Sequence, residues 1–135
     1  MADNKNPGYA VAVLDDMFFA SKIREAAKAA GVDMDFIKGA EGIIDRISST
    51  SPSLVIVDLA HKKVDPIELI KELKGLDNLK GARFIGYLPH VETGLKKEAV
   101  DAGYDMVLPR SRFSLEMREI ISRFAAGNDR PFPHQ

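Results

Sequence analysis

Three aspartates that follow short apolar runs are the residues whose type and spacing most clearly suggest chemistry. Asp15 and Asp16 come directly after the run of residues 9–14, and Asp58 closes the run of residues 54–57. Carboxylates that are brought close together repel one another, and a divalent cation relieves that repulsion. Because these residues offer only oxygen ligands, magnesium, manganese or calcium would be preferred over zinc.

Each aspartate taken alone also has a simpler interpretation. Asp16 could cap the helix that follows it, Asp15 could be a solvated side chain, and Asp58 could merely end a strand. Two histidines, His61 and His90, fall in loops that follow strands, and we expect them to be surface residues without a role. Only the clustering of all three aspartates therefore favours a site.

Five short apolar runs alternate with stretches in which apolar residues recur every three or four positions, as in strands and amphipathic helices. The predicted strands are residues 9–14, 34–37, 54–57, 83–88 and 104–108. The predicted helices carry apolar stripes at Phe19, Ile23, Ala26, Ala27 and Ala30; at Ile43, Ile44 and Ile47; at Ile67, Ile70, Leu73 and Leu76; at Val91, Leu95 and Val100; and at Leu115, Ile120, Ile121 and Phe124.

The alternation of strands and helices predicts an α/β fold with a five-stranded parallel sheet. A closed barrel of eight strands needs about 250 residues, so the 135-residue chain is too short for one. An open, doubly wound sheet remains, and we expect it to have the flavodoxin-like strand order 2-1-3-4-5. In that order the first and third strands are neighbours, and their carboxyl ends would bring Asp15, Asp16 and Asp58 into one pocket. Arg110, after the fifth strand, is the counter-charge expected there, pointing toward Asp58.

Composition excludes several classes of function. The net charge of −1 gives no basic surface for nucleic acid or an anionic membrane, and the absence of cysteine excludes disulfides and thiol chemistry. No apolar run approaches the ~20 residues of a membrane span, and the polar N-terminus does not resemble a signal peptide, so we expect a cytoplasmic protein. We expect one domain over residues 9–125, with a flexible N-terminus (1–8) and a flexible C-terminal tail (126–135).

Common enzyme motifs are missing from the sequence. It contains no Gly-x-Gly-x-x-Gly, no P-loop and no Gly-x-Ser-x-Gly elbow. The segment after the first strand lacks the small polar residues of a flavin phosphate loop, and its two aspartates are adjacent rather than spaced as in haloacid-dehalogenase phosphatases. An enzyme that uses Asp58 as a nucleophile on phosphorylated small molecules is the least favoured interpretation, and we expect the protein not to be an enzyme.

The chain resembles the receiver domain of bacterial response regulators. The resemblance is carried by residues 13–16, which read Val-Leu-Asp-Asp, by residues 54–59, and by residues 102–105, which read Ala-Gly-Tyr-Asp. It implies that Asp15 and Asp16, together with Asp58, hold Mg²⁺ or Mn²⁺ weakly. It further implies that Asp58 is the phosphoacceptor, a carboxylate nucleophile that takes a phosphoryl group from a phosphohistidine.

Other positions depart from the pattern of that family. Leu88 stands where the family has a serine or threonine hydroxyl, and a shift of one residue would place Tyr87 there. Val107 takes the place of the aromatic residue that moves in the switch, and Arg110 takes the place of a lysine. The resemblance is therefore to an atypical or degenerate receiver, in which the metal and acceptor positions are kept and the switch positions are changed.

We expect a stand-alone receiver domain in phosphorelay, or two-component, signal transduction, with a sensor histidine kinase or another signalling protein as partner. The alternative is a pseudo-receiver that acts through protein–protein contact without phosphorylation. The face formed by the fourth helix, the fifth strand and the fifth helix would be a standing docking surface or a homodimer interface. Its predicted members are Lys96, Lys97, Val107 and Arg118.

Overall fold

The computed structural model describes residues 6–90 and 93–127. Within these ranges five strands alternate with five helices and a single turn of 3₁₀ helix (Asp77–Leu79). The strands are β1 (Asn6–Val13), β2 (Asp33–Ile37), β3 (Pro52–Asp58), β4 (Arg83–Leu88) and β5 (Met106–Pro109). The helices are α1 (Met17–Ala30), α2 (Ile43–Thr50), α3 (Pro66–Lys74), α4 (Thr93–Ala102) and α5 (Arg110–Ala125).

The strands form one parallel sheet in the order β2-β1-β3-β4-β5, which confirms the predicted fold class and strand order. Side chains of a strand alternate between the two faces of the sheet. One face, called here the α1/α5 face, packs Ile56 and Ile85 against α1 and α5. The other, the α2/α3/α4 face, packs Val55 and Val57 against the remaining three helices. The continuous apolar runs of the central strands follow from this burial on both sides.

Local signals fix where two helices begin. Asp16 is the N-cap of α1, and Asp65 is the N-cap of α3, where its carboxylate accepts hydrogen bonds from the backbone N–H groups of Ile67 and Glu68. Pro66 occupies the first position of α3, where a missing N–H costs nothing. These caps place the loops that carry Asp15, Asp16 and the residues after Asp58 at one edge of the sheet.

Two apolar residues that the sequence predicts on buried helix faces are exposed. Leu115 is 87% exposed and Val100 is 48% exposed, so both assignments were wrong. The buried face of α5 runs through Phe113 and Met117, and a residue two positions from Phe113 points about 200° around the helix. In α4, Ala99 holds the buried position beside Val100.

Several strand boundaries also differ from the prediction; β3, for example, begins at Pro52, two residues before the predicted start. β1 begins at Asn6, which pairs with Pro52, so residues 6–8 of the segment predicted to be flexible belong to a strand. β5 begins at Met106 because the backbone N–H of Tyr104 still bonds to the carbonyl of Ala99 at the end of α4. Val91, residues 1–5 and residues 128–135, for which predictions were also made, lie outside the described residues.

No helix within the described ranges combines the length and the apolar character that crossing a bilayer requires.

Candidate functional site

The carboxyl ends of β1 and β3 bring the predicted acidic residues to the same edge of the sheet. β1 and β3 are hydrogen-bonded neighbours, with Val13 opposite Val57. Asp15 and Asp16 follow β1, and Asp58 is the last residue of β3. The edge at which open α/β sheets bind ligands therefore carries all three carboxylates.

Asp16 both caps α1 and forms an ion pair. Its Oδ1 accepts a hydrogen bond from the backbone N–H of Phe19 at 3.0 Å, and its Oδ2 accepts one from Arg110 Nη2 at 2.7 Å. The bond from the Phe19 N–H, followed by that from Arg110, holds the pKa of Asp16 below its usual value. The capping role and the pocket role, which the sequence left as alternatives, occur together.

Arg110 reaches the acidic pocket, but its hydrogen bond goes to Asp16 and not to Asp58, the partner expected from the sequence. The guanidinium carbon lies 4.2 Å from the centroid of the Phe19 ring, in a cation–π contact. Asp16 at the N-cap of α1 and Phe19 in its first turn therefore both contact the guanidinium, which explains why Arg110 turns toward Asp16. The charge of Arg110 still acts on Asp58, where it opposes the rise in pKa that burial causes.

A second cation, which the sequence analysis missed, lies beside the pocket. Lys63 Nζ is 3.4 Å from Asp15 Oδ2, and both side chains are largely exposed. Exposed pairs of this kind contribute little to stability. The expectation that Arg110 would be the counter-charge for the three aspartates was therefore incomplete. The adjacent residues Lys62 and Lys63, only a few positions after Asp58, are the signal that could have revealed this second cation.

Asp58 is half-buried, and one of its two carboxylate oxygens is held in place. Oδ1 accepts a hydrogen bond from the backbone N–H of Ala60 at 2.8 Å, and the Asp58 carbonyl accepts one from the N–H of His61. Among the described residues, no hydrogen bond engages Oδ2. Burial raises the pKa of Asp58, and the Ala60 N–H, His61 and Arg110 oppose that rise. One oxygen is thus fixed, and the other accepts no hydrogen bond from the described residues.

Tyr87 is the register partner of Asp58 on β4 and is 2% exposed. Its ring stacks on Phe113 with centroids 5.3 Å apart and contacts Phe19 at 5.0 Å. Its hydroxyl oxygen is buried and has no hydrogen-bond partner among the described residues. Burial first, and then the charges of Asp58 and Asp16, raise the pKa of Tyr87, so the hydroxyl remains a proton donor.

Leu88 and Val107, the switch positions implied by the resemblance, lie on the opposite face of the sheet. Both are buried in the apolar cluster of the α2/α3/α4 face, at 3% and 6% exposure. Leu59 belongs to the same cluster. The side chains of these residues therefore contribute apolar packing, and none of them supplies a hydrogen-bond donor.

His61 and His90 differ in their surroundings. His90 is exposed, as expected. The Nδ1 atom of His61 accepts a hydrogen bond from the backbone N–H of Lys63 at 3.0 Å, while its Nε2 atom is buried without a partner in the part of the chain that the structure describes. A neutral imidazole that accepts at Nδ1 carries its hydrogen on Nε2. His61 therefore presents a second buried donor close to Asp58, whereas the sequence favoured a surface histidine without a role.

The acidic pocket suits a divalent cation in the type of its ligands but is not arranged as a finished metal site. Over residues 6–90 and 93–127, no group of three or more acidic, histidine or cysteine side chains is placed to hold an ion together. Asp16 is engaged by Arg110 and the helix N-terminus, and Asp15 by Lys63. A cation bound by these oxygens would have to compete with both positive side chains.

Comparison with known proteins relates the chain to one fold. No model of a protein family matches the sequence, and no curated protein matches it significantly. The receiver domain of a response regulator from Bermanella marisrubri superposes with a TM-score of 0.77 at 17% identity, covering 88% of this chain and 98% of its own. The receiver domain of a histidine kinase from Syntrophus aciditrophicus gives 0.76 at 18% identity, covering 93% and 96%.

A third solved structure is the dimer of a beryllofluoride-activated receiver domain, with a TM-score of 0.71 at 16% identity, covering 87% of this chain and 98% of that domain. All three similarities extend over most of both chains. The chain therefore has the fold of a response-regulator receiver domain.

Proposed function

We propose that the chain is an atypical receiver domain of two-component signalling that accepts a phosphoryl group on Asp58. The proposal rests on the burial and the hydrogen bonding of the Asp58 carboxylate. It is half-buried at the carboxyl edge of the sheet, with Oδ1 held by the N–H of Ala60 and Oδ2 without a hydrogen bond among the described residues. A fixed carboxylate with one available oxygen suits nucleophilic attack on phosphorus.

The reaction transfers one phosphoryl group without any change of oxidation state. Oδ2 of Asp58 forms a bond to the phosphorus atom, and the bond between phosphorus and the donor's nitrogen or oxygen breaks. The bonding electron pair leaves with the donor, which becomes a neutral histidine after protonation, or acetate if the donor is acetyl phosphate. Arg110 lies within reach of the pocket and offsets part of the negative charge that the phosphoryl group adds.

Asp15, Asp16 and Asp58 would hold the Mg²⁺ or Mn²⁺ that the resemblance implies, since their oxygens are the ligands that such ions prefer. The ion would neutralise charge on the oxygens of the incoming phosphoryl group. Because Arg110 and Lys63 already engage two of these carboxylates, we expect the binding to be weak.

Exposed apolar residues lie next to the pocket and suit a protein as the phosphodonor. Met17 and Phe18, in the first turn of α1, are 68% and 89% exposed. A shallow groove beside them is lined by Lys22, Pro89 and Ser114, among others. We propose that a sensor histidine kinase or another signalling protein docks here, and that homodimerisation through α4, β5 and α5 is a further contact of the chain.

A pseudo-receiver that is never phosphorylated is the second candidate, and two observations favour it. The ion pair between Arg110 and Asp16 already satisfies much of the charge in the pocket, and Leu88 and Val107 supply apolar packing where the family has polar and aromatic switch residues. Such a protein would act through a standing surface, without a change of charge at Asp58.

Incubation with magnesium and acetyl phosphate, followed by intact-protein mass measurement, separates the two candidates. We expect the wild-type protein to gain the mass of one phosphoryl group, and Asp58→Asn and a chelator each to abolish that gain. Asp65→Asn is the matched control, since it changes an exposed aspartate of the same loop region and asparagine still caps α3. A wild-type protein that gains no mass, or an Asp58→Asn protein that still gains it, would refute the acceptor assignment.

A further inference from the structure

We propose that the hydroxyl of Tyr87 donates a hydrogen bond to the phosphoryl group on Asp58 and so performs the phosphate contact that Leu88 cannot make. This inference rests on the proposed function, because it needs a phosphoryl group at Asp58. The resemblance left the place of this contact open between positions 88 and 87, and the inference assigns it to Tyr87.

The register of the sheet places the two residues side by side. Asp58 and Tyr87 are directly paired on the neighbouring strands β3 and β4. Paired residues of neighbouring strands point to the same face, and here it is the α1/α5 face, since Ile56 and Tyr87 both belong to its cluster. Leu88 is one residue further along and points to the other face. Tyr87 therefore brings its side chain to the side of the sheet on which Asp58 reacts.

The Tyr87 hydroxyl is a buried donor without an acceptor. Its oxygen has no hydrogen-bond partner among the described residues, whereas buried hydroxyl groups in proteins are nearly always satisfied. An unsatisfied buried donor is costly, so a site that keeps one is suited to a ligand that brings an acceptor. A phosphoryl group supplies three strong acceptor oxygens, and hydrogen bonds to charged acceptors are the stronger kind.

The surroundings of Tyr87 hold the hydroxyl ready for such a contact. The rings of Tyr87, Phe113 and Phe19 pack against one another with centroids 5.0–6.0 Å apart, and the Arg110 guanidinium lies over the Phe19 ring. This packing fixes the direction of the phenol before any ligand arrives, which lowers the entropy cost of the new bond. The charges of Asp58, Asp16 and Arg110 all act on the Tyr87 hydroxyl, which places it within the electrostatic reach of the pocket.

The test uses beryllofluoride with magnesium as the phosphoryl mimic, on the full chain, with affinity measured by amide NMR titration. Tyr87→Phe removes only the hydroxyl, and we expect it to weaken binding by roughly tenfold or more, as for the loss of a hydrogen bond to a charged group. Tyr104→Phe is the matched control, because Tyr104 is equally buried on the other face and its hydroxyl donates to the carbonyl of Pro66. We expect that control to bind like the wild type.

A direct readout on the unmutated protein makes the test independent of how the variants fold. The chain has three tyrosines and no tryptophan, so 3-fluorotyrosine labelling gives three ¹⁹F signals that Tyr9→Phe and Tyr104→Phe assign by elimination. We expect beryllofluoride to shift the Tyr87 signal and to leave the Tyr104 signal in place. The shift supports the contact when it occurs together with the loss of affinity in Tyr87→Phe, since charge added at Asp58 also acts on this ring.

The results that would overturn the inference alone are distinguishable from a failure of the proposed function. If Tyr87→Phe binds beryllofluoride as tightly as the wild type, or if the Tyr87 signal does not move while the mimic binds, the contact is absent and the acceptor assignment survives. If His61→Ala lowers the affinity for beryllofluoride and Tyr87→Phe leaves it unchanged, His61 Nε2 is the donor instead. If the wild-type protein binds no mimic at all, the proposed function fails and the inference with it.

Discussion

The two faces of the sheet differ sharply where β3 and β4 end. On the α1/α5 face, Asp58 and Tyr87 lie beside the ion pair of Asp16 and Arg110. The strand ends there are polar, and they contain a buried donor that has no acceptor among the described residues. On the α2/α3/α4 face, one residue further along the chain, the strand ends are apolar and closely packed. The apolar residues at this edge of the α2/α3/α4 face are Leu59, Leu88 and Val107.

The difference between the faces indicates on which side a phosphoryl group could be sensed. A neighbouring residue of a strand points to the other face, so a hydroxyl at position 88 would lie on the face opposite Asp58. Tyr87 keeps a hydroxyl on the face of Asp58. In a receiver of this kind, we expect the response to phosphate to travel toward α1 and α5, with the α2/α3/α4 face acting as a rigid support.

Gly86→Ala is expected to lower the free energy of unfolding most, because a methyl group at position 86 would overlap a closely packed side chain of the α2/α3/α4 face. A Cβ atom at Gly86 would lie 2.8–2.9 Å from three carbons of the Leu59 side chain, which is itself 4% exposed. Overpacking of this kind costs about 1–3 kcal/mol of the free energy of unfolding. Urea denaturation monitored by circular dichroism measures it.

The matched control for this prediction is a double-mutant cycle with Leu59→Ala. Because the smaller side chain makes room for the new methyl group, Gly86→Ala should cost less in the Leu59→Ala background than in the wild type. Equal costs in the two backgrounds would show that Gly86 and Leu59 do not pack together.

Asp16→Ala and Asp58→Asn should change stability in opposite directions on the polar face. Asp16 has a lowered pKa, so it stabilises the fold above its unfolded pKa near 3.9, and this contribution disappears as the pH falls through the lower folded value. Replacing the cap with alanine should cost about 1 kcal/mol at pH 7. The comparison is made by thermal denaturation in chelator, so that no bound ion contributes.

Asp58 has a raised pKa, so its ionised form destabilises the fold above the folded pKa, and protonation on acidification removes that cost. Asp58→Asn should therefore raise the melting temperature at pH 7. The gain should shrink as the pH falls through the raised folded pKa toward the unfolded value. If Asp58→Asn lowers stability at pH 7, the ionised carboxylate is better satisfied than its half-buried position indicates.

Arg110→Ala should produce the smallest effect, a few-fold increase in magnesium affinity. The guanidinium competes with a cation for Asp16, and its removal leaves that carboxylate with the helix N-terminus alone. Arg112→Ala is the control, since Arg112 pairs with Glu116 on the exposed side of α5. Titration of both variants with magnesium, followed by amide NMR, compares them. Equal affinities in the two variants would place Arg110 outside the metal-binding pocket.

Much of the fold could be predicted from the sequence because its signals are local. Continuous apolar runs mark strands that are covered on both faces, and Asp65 followed by Pro66 marks the beginning of a helix. Chain length and the handedness of parallel connections then indicated an open, doubly wound sheet, and 2-1-3-4-5 is the flavodoxin-like order of that class. The convergence of Asp15, Asp16 and Asp58 at one edge is a consequence of that order.

The details of the site depend on contacts between distant parts of the chain, which periodicity cannot reveal. The choice of Asp16 rather than Asp58 as the partner of Arg110 is set by the Phe19 ring, which is 91 positions away in sequence from Arg110. The exposure of Leu115 depends on which stripe of α5 meets the sheet. The proximity of Tyr87 to Asp58 depends on the exact register of β3 and β4. A shift of one residue would place the two side chains on opposite faces of the sheet.

Mapping amide chemical-shift changes on adding beryllofluoride and magnesium tests the central claim most directly. We expect the wild-type protein to show its largest changes at Asp58, Tyr87 and the residues of α1 and α5 that contact Tyr87, with Leu88 and Val107 changing little. Asp58→Asn should show none of these changes. Large concerted changes at Leu88, Val107 and α4, with Tyr87 unaffected, would contradict the account and place the response on the opposite face of the sheet.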